Sequence, residues 1–569
     1  MLLAAVLVGL LHVAPDIGFL AAHGDQMQGI HLLGAADEAY YLTRIGAALQ
    51  HGHVNLGNPA IIEHRNDPAL MPALPEQIEG ALGRLLGLSI VGTDILFTFF
   101  YSALLCIIAY AWLGCFVETA GPRLIGALAM ALGSSWATLH PAALGYIWQE
   151  GLPLAYVRPI SPVWHVIILL AAVWALFKAL EPPRGIPIRI FIAGVLAGLV
   201  WHASLYVSSA FVALLGLLAG RALLRKDWND VRRLGVIGAL MLGVAIPFLL
   251  NWIDTRQAEG FADLWARYGI TFTRQPQVPP ALVVGTLLVF LGFHPMDNQR
   301  RWWLLACLAA GWVCINQQIL TGRTLQPFHW QTNVLKPLTL GAVALTVGSW
   351  LMTSRWWQYA RPLGMVTVMV LAAGSAVSQA QYYRVATPRI LAYAELAPIC
   401  RWLKQHAQPD DVVLSDPLDL KQADIFTTYA GVCVYLSDPF FITSLLTRQE
   451  IEHRYLAALH FYAYEPDAAK DLLDFAGGGG LFLGMQVYQG AREERHAHDR
   501  YLAGLLERYA ALMPEDPVIG LRPYRVTYVY MYESSRLRLL QRAPSTLKRL
   551  IPVYGTSAGM LYRIVPSAV

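Results

Sequence analysis

The sequence predicts an α-helical polytopic membrane protein with a C-terminal α/β domain in water. Hydrophobic residues make up 56% of the 569 residues and charged residues only 14%, whereas a soluble domain carries about 25% charged residues. The charges are also unevenly spread, since they are sparse up to about residue 383 and return at ordinary density from residue 384. We therefore predict a transmembrane domain over residues 1–383 and a second domain over residues 384–569.

About eleven transmembrane helices are predicted from hydropathy, although several segments are shorter than the roughly 20 residues of a full crossing. The block 190–222 is compatible with one tilted helix or with two short helices that meet near His202 and Tyr206. The first segment lacks the charged start and the cleavage site of a signal peptide. The predicted spans are residues 1–14, 94–116, 124–139, 161–179, 190–204, 205–222, 234–252, 280–294, 303–319, 334–352 and 363–380.

The basic residues predict the orientation, because cytoplasmic loops are enriched in Lys and Arg. They are concentrated in four alternate loops, each of which holds one group of basic residues. The groups are Lys178, Arg184 and Arg189; Arg221, Arg225, Lys226, Arg232 and Arg233; Arg300 and Arg301; and Arg355 and Arg361. The outer face then holds the long first outer loop (residues 15–93), three shorter loops (140–160, 253–279 and 320–333) and the C-terminal domain. We expect a multi-pass protein of the inner (plasma) membrane with an extracytoplasmic C-terminal domain. A net charge of +4 without a basic run carrying interleaved aromatics argues against nucleic acid.

The C-terminal domain alternates predicted helices with predicted strands, which indicates βαβ units. Cys400 and Cys433 lie in this domain, and either a disulfide or two free thiols fits the sequence. The predicted helices are 395–406, 447–474 and 496–512, and the predicted strands are 412–414, 432–436, 524–532 and 560–565.

The first outer loop carries the strongest candidate for catalysis. Asp37 is a carboxylate placed just after the first span, where it can act as general base on an acceptor hydroxyl. The same residue is also a plausible N-cap of a helix 38–50, with Glu38 in the positive first turn. The two interpretations are compatible, since a cap fixes the position of a carboxylate. Tyr41 and Arg44, further along this helix, are candidate substrate-binding residues.

Glu63, His64 and Asp67 are weak candidates for a metal site with oxygen and nitrogen ligands. Polar groups in such a proline-flanked loop are more often solvated or structural. The sequence identifies no cofactor. A divalent cation is the cofactor that Glu63, His64 and Asp67 would suit.

Arg323 and His329 lie in the loop 320–333 and are candidate phosphate contacts, as is Arg158 before the span 161–179. Arg158 fits equally well as a residue that sets topology. Trp330 in the same loop suits the aromatic belt at the membrane interface. His165 and His202 lie within spans, where an ionisable group is often functional, but a hydrogen bond to a neighbouring helix also explains each of them.

The segment Asp37-Glu38-Ala39-Tyr40-Tyr41 at the start of the first outer loop resembles the GT-C superfamily of polytopic membrane glycosyltransferases. Protein mannosyltransferases and the aminoarabinose transferases of lipid A belong to that superfamily. The layout of spans, the long first loop and the terminal soluble domain are similar as well. The stretches LKQHAQPDDVVLSDP and YAGVCVYLSDP resemble the start of the soluble domain in bacterial members.

The resemblance implies an enzyme that moves a sugar from a polyprenyl-phosphate donor to a lipid, glycan or protein acceptor of the cell envelope. It implies Asp37 as the general base with Glu38 beside it. No family motif stands behind Arg158, Arg323 and His329, whose roles come from their chemistry. A multi-pass transporter or flippase of lipid-linked or envelope precursors is the alternative, although no internal repeat is visible. A non-catalytic envelope-assembly protein on the same fold is the third hypothesis.

Overall fold

The computed structural model describes residues 1–31, 38–52, 57–133, 156, 158–181, 187–267, 270–291, 297–353, 357–478 and 492–565. Up to residue 394 these are mainly helices, and a small mixed sheet follows in the C-terminal part. The helices of the first part are α1 (Leu2–Met27), α2 (Glu38–His51), α3 (Leu74–Leu85), α4 (Ile90–Leu113), α5 (Ala120–Gly133), α6 (His165–Leu180), α7 (Pro187–Leu199), α8 (Leu205–Leu224), α9 (Trp228–Gln257), α10 (Phe261–Arg267), α11 (Pro280–Phe290), α12 (Asn298–Asn316), α13 (Gln318–Thr321), α14 (Pro327–Trp330), α15 (Lys336–Thr353) and α16 (Trp357–Ala394).

Among the residues that the structure describes, seven helices are long and apolar enough to cross a membrane, and the chain is a multi-pass membrane protein. These helical segments are Leu2–Met27, Ile90–Leu113, Pro159–Leu180, Leu205–Leu224, Trp228–Gln257, Asn298–Thr321 and Pro362–Ala394. Each of the other predicted spans coincides with a shorter helix, namely α5, α7, α11 or α15. The total of eleven crossings stays a prediction.

The first predicted span ends too early. Residues 15–27 continue α1 instead of opening the first outer loop, with Pro15 inside the helix. The sequence prediction stopped at Pro15-Asp16 because proline usually breaks a helix. The apolar residues that follow, which include Phe19 and Leu20, pack near α16 and favour a longer helix.

The block 190–222 forms two helices. α7 ends in a short 3-10 turn (Val200–His202), and α8 begins after Ser204, whose hydroxyl accepts the backbone N–H of Val207. A serine in extended conformation at this position is a favoured N-cap. The chain is therefore interrupted between two apolar segments, at the place where His202 and Tyr206 lie.

The C-terminal part contains one five-stranded sheet in the order β4-β3-β5-β7-β6. β3 lies parallel to both β4 and β5, whereas β7 lies antiparallel to β5 and β6. The predicted βαβ arrangement is therefore right for β3, β4 and β5 only. The strands are β3 (Val412–Leu414), β4 (Cys433–Val434), β5 (Val526–Met531), β6 (Leu550–Gly555) and β7 (Met560–Ile564), and a two-stranded pair β1 (Ile270–Phe272) and β2 (Arg323–Leu325) lies apart from them.

The helices around this sheet agree with most of the predicted ones. The predicted helix 447–474 is divided by a turn in which Ala463 has a φ of 51°. Cys400 and Cys433 are buried free thiols. The helices are α17 (Ala397–His406), α18 (Leu420–Ile425), α19 (Asp438–Thr443), α20 (Arg448–Phe461), α21 (Pro466–Gly478), α22 (Arg492–Leu512), α23 (Glu533–Arg542) and α24 (Pro544–Leu547).

The first loop and the C-terminal part share one apolar core. Ile45 and Ile61 from the loop are fully buried in the same cluster as Val413 of strand β3. The carbonyl of Ala60 also accepts the backbone N–H of Val434 at 2.8 Å, so the loop adds a contact to the edge strand β4. The membrane helices form a separate apolar core. The first loop thus packs as part of the C-terminal domain.

Candidate functional site

A cavity of about 410 Å³ lies where the first loop, the membrane helices and the C-terminal part meet. Its size is typical of a small-molecule site. Its lining comes from α2, from the break between α7 and α8, from α9, from the segment around α14 and from the end of α19. The lining residues used below are Tyr40, Tyr41, Met71, Ser161, His165, Trp201, Tyr206, Phe248, Trp252, Trp265, Gln326, His329 and Asn333.

One wall of the cavity is aromatic. Trp201 packs against Phe248 with ring centroids 5.6 Å apart, and Trp252 packs edge-on against Trp265 at 5.8 Å. These rings come from three separate helices, α9, α10 and the 3-10 turn after α7. They create an apolar surface that suits a hydrocarbon chain or a flat apolar group.

The interrupted segment between α7 and α8 also brings polar groups to the cavity. Tyr206 donates its hydroxyl to Gln326 Oε1 at 2.9 Å, and its ring stacks on His329 with centroids 5.0 Å apart. The indole N–H of Trp330 donates to Ser209 Oγ at 2.9 Å. Trp330 is buried, so its expected place in a lipid-facing aromatic belt is wrong. These contacts fix His329 against the cavity.

His165 lies in the lining at the start of α6 and is 3% exposed. It lies beside the side chain of Asn333 and the backbone of Ala203, and it interacts electrostatically with His329 and Arg158. The structure therefore brings His329 and Arg158, both predicted as phosphate contacts, to the neighbourhood of one buried imidazole. His202, by contrast, donates one hydrogen bond from Nε2 to the Val244 carbonyl at 3.0 Å, which explains it without chemistry.

Glu38 is almost fully buried at the start of α2. The hydroxyl of Tyr382 on α16 feels the charges of Glu38 and of Arg158, and it is hydrogen-bonded to Arg389. Glu38 and Arg158 thus share one electrostatic neighbourhood, and Tyr41 lines the cavity one turn further along α2. Asp37 itself lies outside the described residues.

Arg44 lies behind the cavity wall and not on it. It is fully buried and forms an ion pair with Glu76 of α3, with 2.6 Å between Nη1 and Oε1. It also donates to the hydroxyl of Tyr40 at 3.1 Å and to the carbonyl of Met71 at 3.0 Å. Burial raises the pKa of Glu76, while Arg44 lowers it. Since Tyr40 and Met71 line the cavity, Arg44 holds two of its walls in place.

Arg323 is exposed on β2 and does not line the cavity, although Leu325 and Gln326 after it do. Its backbone carbonyl accepts from the Gln317 side chain at 2.9 Å.

Glu63, His64 and Asp67 lie in an ion-pair network between the first loop and α20. His64 contacts Asp67 at 2.6 Å through Nδ1 and Glu450 at 2.9 Å through Nε2. Burial lowers the pKa of His64, but these two carboxylates outweigh it and raise the pKa to about 9. Glu63 pairs with the fully buried Arg454 at 2.7 Å. Within the described ranges, no group of three or more His, Cys, Asp or Glu side chains is arranged to hold a metal ion.

The aromatic wall and the polar contacts of Tyr206, Gln326 and Asn333 are the part of the cavity that sequence reasoning missed. The turn near Tyr206 was the one available signal, because an interrupted apolar segment often marks a site in a membrane protein. The aromatic residues lie in apolar runs, where a lining residue has the same sequence pattern as a core residue.

No family model matches the sequence, and no curated protein matches it. Among solved structures, ArnT from Cupriavidus metallidurans bound to undecaprenyl phosphate is similar at 14% identity and a TM-score of 0.46, over 98% of this chain and 98% of that chain. The arabinofuranosyltransferase AftD from Mycobacteria is similar at 15% identity and a TM-score of 0.49, over 100% of this chain and 40% of that chain.

The Archaeoglobus fulgidus oligosaccharyltransferase tethered with an acceptor peptide is similar at 11% identity and a TM-score of 0.46, over 99% of this chain and 74% of that chain. AftD is an arabinofuranosyltransferase, and the Archaeoglobus fulgidus protein is an oligosaccharyltransferase. At TM-scores below 0.5 these likenesses describe the general arrangement of the chain and say nothing about its site or substrates.

Proposed function

We propose that the protein is a membrane glycosyltransferase that moves a sugar from a polyprenyl-phosphate donor to a cell-envelope acceptor, with Asp37 as general base. The observation that carries the proposal is the composition of the cavity. Aromatic side chains make up much of its lining, which also contains His165 and His329, near Arg158. A lipid with a phosphate head likewise combines an apolar chain with a charged group.

The chemistry is a direct displacement at the anomeric carbon. The acceptor hydroxyl loses its proton to the Asp37 carboxylate as its oxygen bonds to the sugar carbon. The bond from that carbon to the phosphate oxygen breaks, and the polyprenyl phosphate leaves with the electron pair. Arg158 and His329 stabilise the negative charge that develops on the departing phosphate, which is a large contribution in a site shielded from water.

Arg44 acts as a positioning residue in this proposal, because it holds Tyr40 and Met71 without lining the cavity. Glu38 sets the electrostatic surroundings of Asp37. Arg323 is a candidate for the first contact with the donor head group, since it is exposed close to Leu325 and Gln326 at the cavity. On this proposal the cavity opens to the extracytoplasmic side of the inner membrane.

The test compares envelope glycolipids by mass spectrometry in a deletion strain that carries the wild-type gene or the Asp37→Asn variant. We expect the wild type to restore a sugar-modified species and the variant to lose it while still inserting in the membrane. Asp25→Asn is the matched control, since Asp25 is an exposed carboxylate near the end of α1. Restoration by the Asp37→Asn variant would remove Asp37 from the mechanism.

Binding of the donor lipid is measured separately on purified protein with a polyprenyl phosphate as probe. Loss of a charge-assisted hydrogen bond costs about 1.5–3 kcal/mol, so His329→Gln and Arg158→Gln should each weaken binding about 10- to 100-fold. Arg256→Gln, at an exposed position near the end of α9, should leave binding unchanged. Unchanged binding in both site variants would contradict the phosphate assignment and favour the transporter hypothesis.

A further inference from the structure

A second cavity, of about 510 Å³, lies at the opposite end of the membrane helices from the first. α8 connects the two, because its first residues line the first cavity while Leu218, Arg221 and Ala222 line the second. The distance along the helix from Leu205 to Arg221 is about 24 Å at 1.5 Å per residue. The ends of α6, α9, α11 and α12 complete the second cavity, which belongs to the basic side of the molecule.

Two arginines in this cavity have no ion-pair or hydrogen-bond partner among the residues that the structure describes. The Arg221 guanidinium lies 4.8 Å above the ring of Trp302, and it is close enough to Arg225 for the two positive charges to repel each other. Neither side chain forms a hydrogen bond or an ion pair with any residue that the structure describes. Two like charges at one cavity are unfavourable unless an anion occupies it.

An unsatisfied donor lies beside them. The indole nitrogen of Trp302, which also lines the cavity, is buried and has no hydrogen-bond partner among the described residues. A buried donor without an acceptor costs about 1–3 kcal/mol. An anionic oxygen in the cavity would satisfy this N–H and both guanidinium groups.

Asp230 attracts Arg221 electrostatically, but among the described residues neither carboxylate of the cavity forms an ion pair with Arg221 or Arg225. Asp230 pairs with Arg233 at 3.0 Å, and Asp227 caps α9 by accepting the backbone N–H of Asp230 at 3.1 Å. Arg301, the third arginine in the lining, donates to the carbonyls of Val289 and Phe290 at the end of α11. Of the arginines that line this cavity, Arg221 and Arg225 are therefore those without an ion pair or hydrogen bond to the described residues.

The surroundings of the cavity are apolar and exposed. Leu224 is 89% exposed, Trp228 67% and Phe290 64%. Side chains of this kind at the end of membrane helices contact lipid chains, and tryptophan is enriched at the boundary of the bilayer. An anionic group held here would therefore come with acyl chains beside it.

We propose that this second cavity binds the phosphate head group of an anionic phospholipid, with Arg221, Arg225 and the Trp302 N–H as its ligands. Arginine suits a phosphate because its forked donors bind two oxygens. Basic pockets between membrane helices are known to hold anionic lipid heads. The site lies apart from the cavity of the proposed transfer reaction and does not depend on that reaction.

The test uses the full chain, stripped of lipid in a neutral detergent, with lipid adducts counted by native mass spectrometry. Phosphatidylglycerol should bind, and phosphatidylcholine should bind at least tenfold more weakly. Each surface arginine contributes about 1 kcal/mol to anionic lipid binding, so Arg221→Gln together with Arg225→Gln should weaken phosphatidylglycerol binding about thirtyfold. Arg232→Gln, at an exposed position in the first turns of α9, is the matched control and should change binding less than twofold.

A Trp302→Phe variant keeps the ring under Arg221 and removes only the N–H. It should weaken phosphatidylglycerol binding about fivefold, as expected for one hydrogen bond of about 1 kcal/mol. Thermal melting of every variant checks that the fold is intact. Equal binding of the double variant and the wild type, or equal binding of the two lipids, would overturn the proposal. If inorganic phosphate raised the melting temperature of the wild type as much as phosphatidylglycerol does, the site would be assigned to a soluble phosphate. That result would also overturn the proposal.

Discussion

The buried ion pair between Arg44 and Glu76 allows the contribution of the first loop to be measured. Arg44→Met keeps the length of the side chain but removes its charge and its hydrogen bonds to Tyr40 and Met71. Both partners are fully buried, with 0% of each side chain exposed. Removing one partner of a buried pair costs about 3–5 kcal/mol, because the other charge is left without compensation.

The cost should depend on which partner is removed. Glu76→Gln leaves a guanidinium that cannot lose its proton, whereas Arg44→Met leaves a carboxyl that can be protonated. Burial already raises the pKa of Glu76, and Arg44 is the group that lowers it. Without Arg44 the pKa of Glu76 rises further, so lowering the pH neutralises it. The Arg44→Met variant should therefore regain stability as the pH is lowered through the raised pKa of Glu76, while Glu76→Gln should not.

Hydrogen–deuterium exchange of the amides in α2 and α3 measures this local stability. A loss of 3–5 kcal/mol corresponds to exchange that is faster by about two to four orders of magnitude. The double variant with methionine at both positions should recover more than half of the loss, since it leaves no buried charge. Equal losses in the single and double variants, or no pH dependence for Arg44→Met, would refute the reasoning.

Two further predictions concern packing and pH. Gly198→Val should lower the melting temperature, at a cost of about 1–3 kcal/mol in the free energy of unfolding. A Cβ at Gly198 would lie 2.3 Å from Cβ of Val244, at the contact between α7 and α9. Gly243→Ala is the control and should not lower the melting temperature, because the space around Gly243 is open. Burial lowers the pKa of His64, but Asp67 and Glu450 outweigh it and raise the pKa to about 9. The contribution of His64 to the free energy of unfolding is therefore complete below about pH 6.5 and is lost as the pH rises through 9. The melting temperature of wild type should fall over that window, and a flatter profile should follow from His64→Asn; parallel profiles would contradict the assignment.

The helices were predictable because apolar runs of membrane length have few alternative structures. All of the predicted spans coincide with helices, and the strand predicted at 412–414 is β3. β6 was missed, since its mainly exposed residues lack the alternation that identifies a strand. Pro15 misled the prediction because proline inside a membrane helix is tolerated more often than in water.

The candidate site was predictable only in part. Motif and chemistry pointed to Glu38, Arg158 and His329, which the structure places in one neighbourhood with His165. Arg44 has the same sequence features as a binding residue, and only its ion pair with Glu76, far along the chain, gives it another role. Tertiary contacts of this kind leave no local pattern.

The contact between Ala60 and the edge strand β4 has a consequence for biogenesis. The first loop leaves the ribosome long before its partners, since the pair of Glu63 with Arg454 spans 391 residues. At about 5–20 residues per second, that interval lasts roughly 20–80 s. During this time Glu63 and Ile61 have no counterpart, and a nascent chain that is released early would leave them exposed to chaperones and proteases.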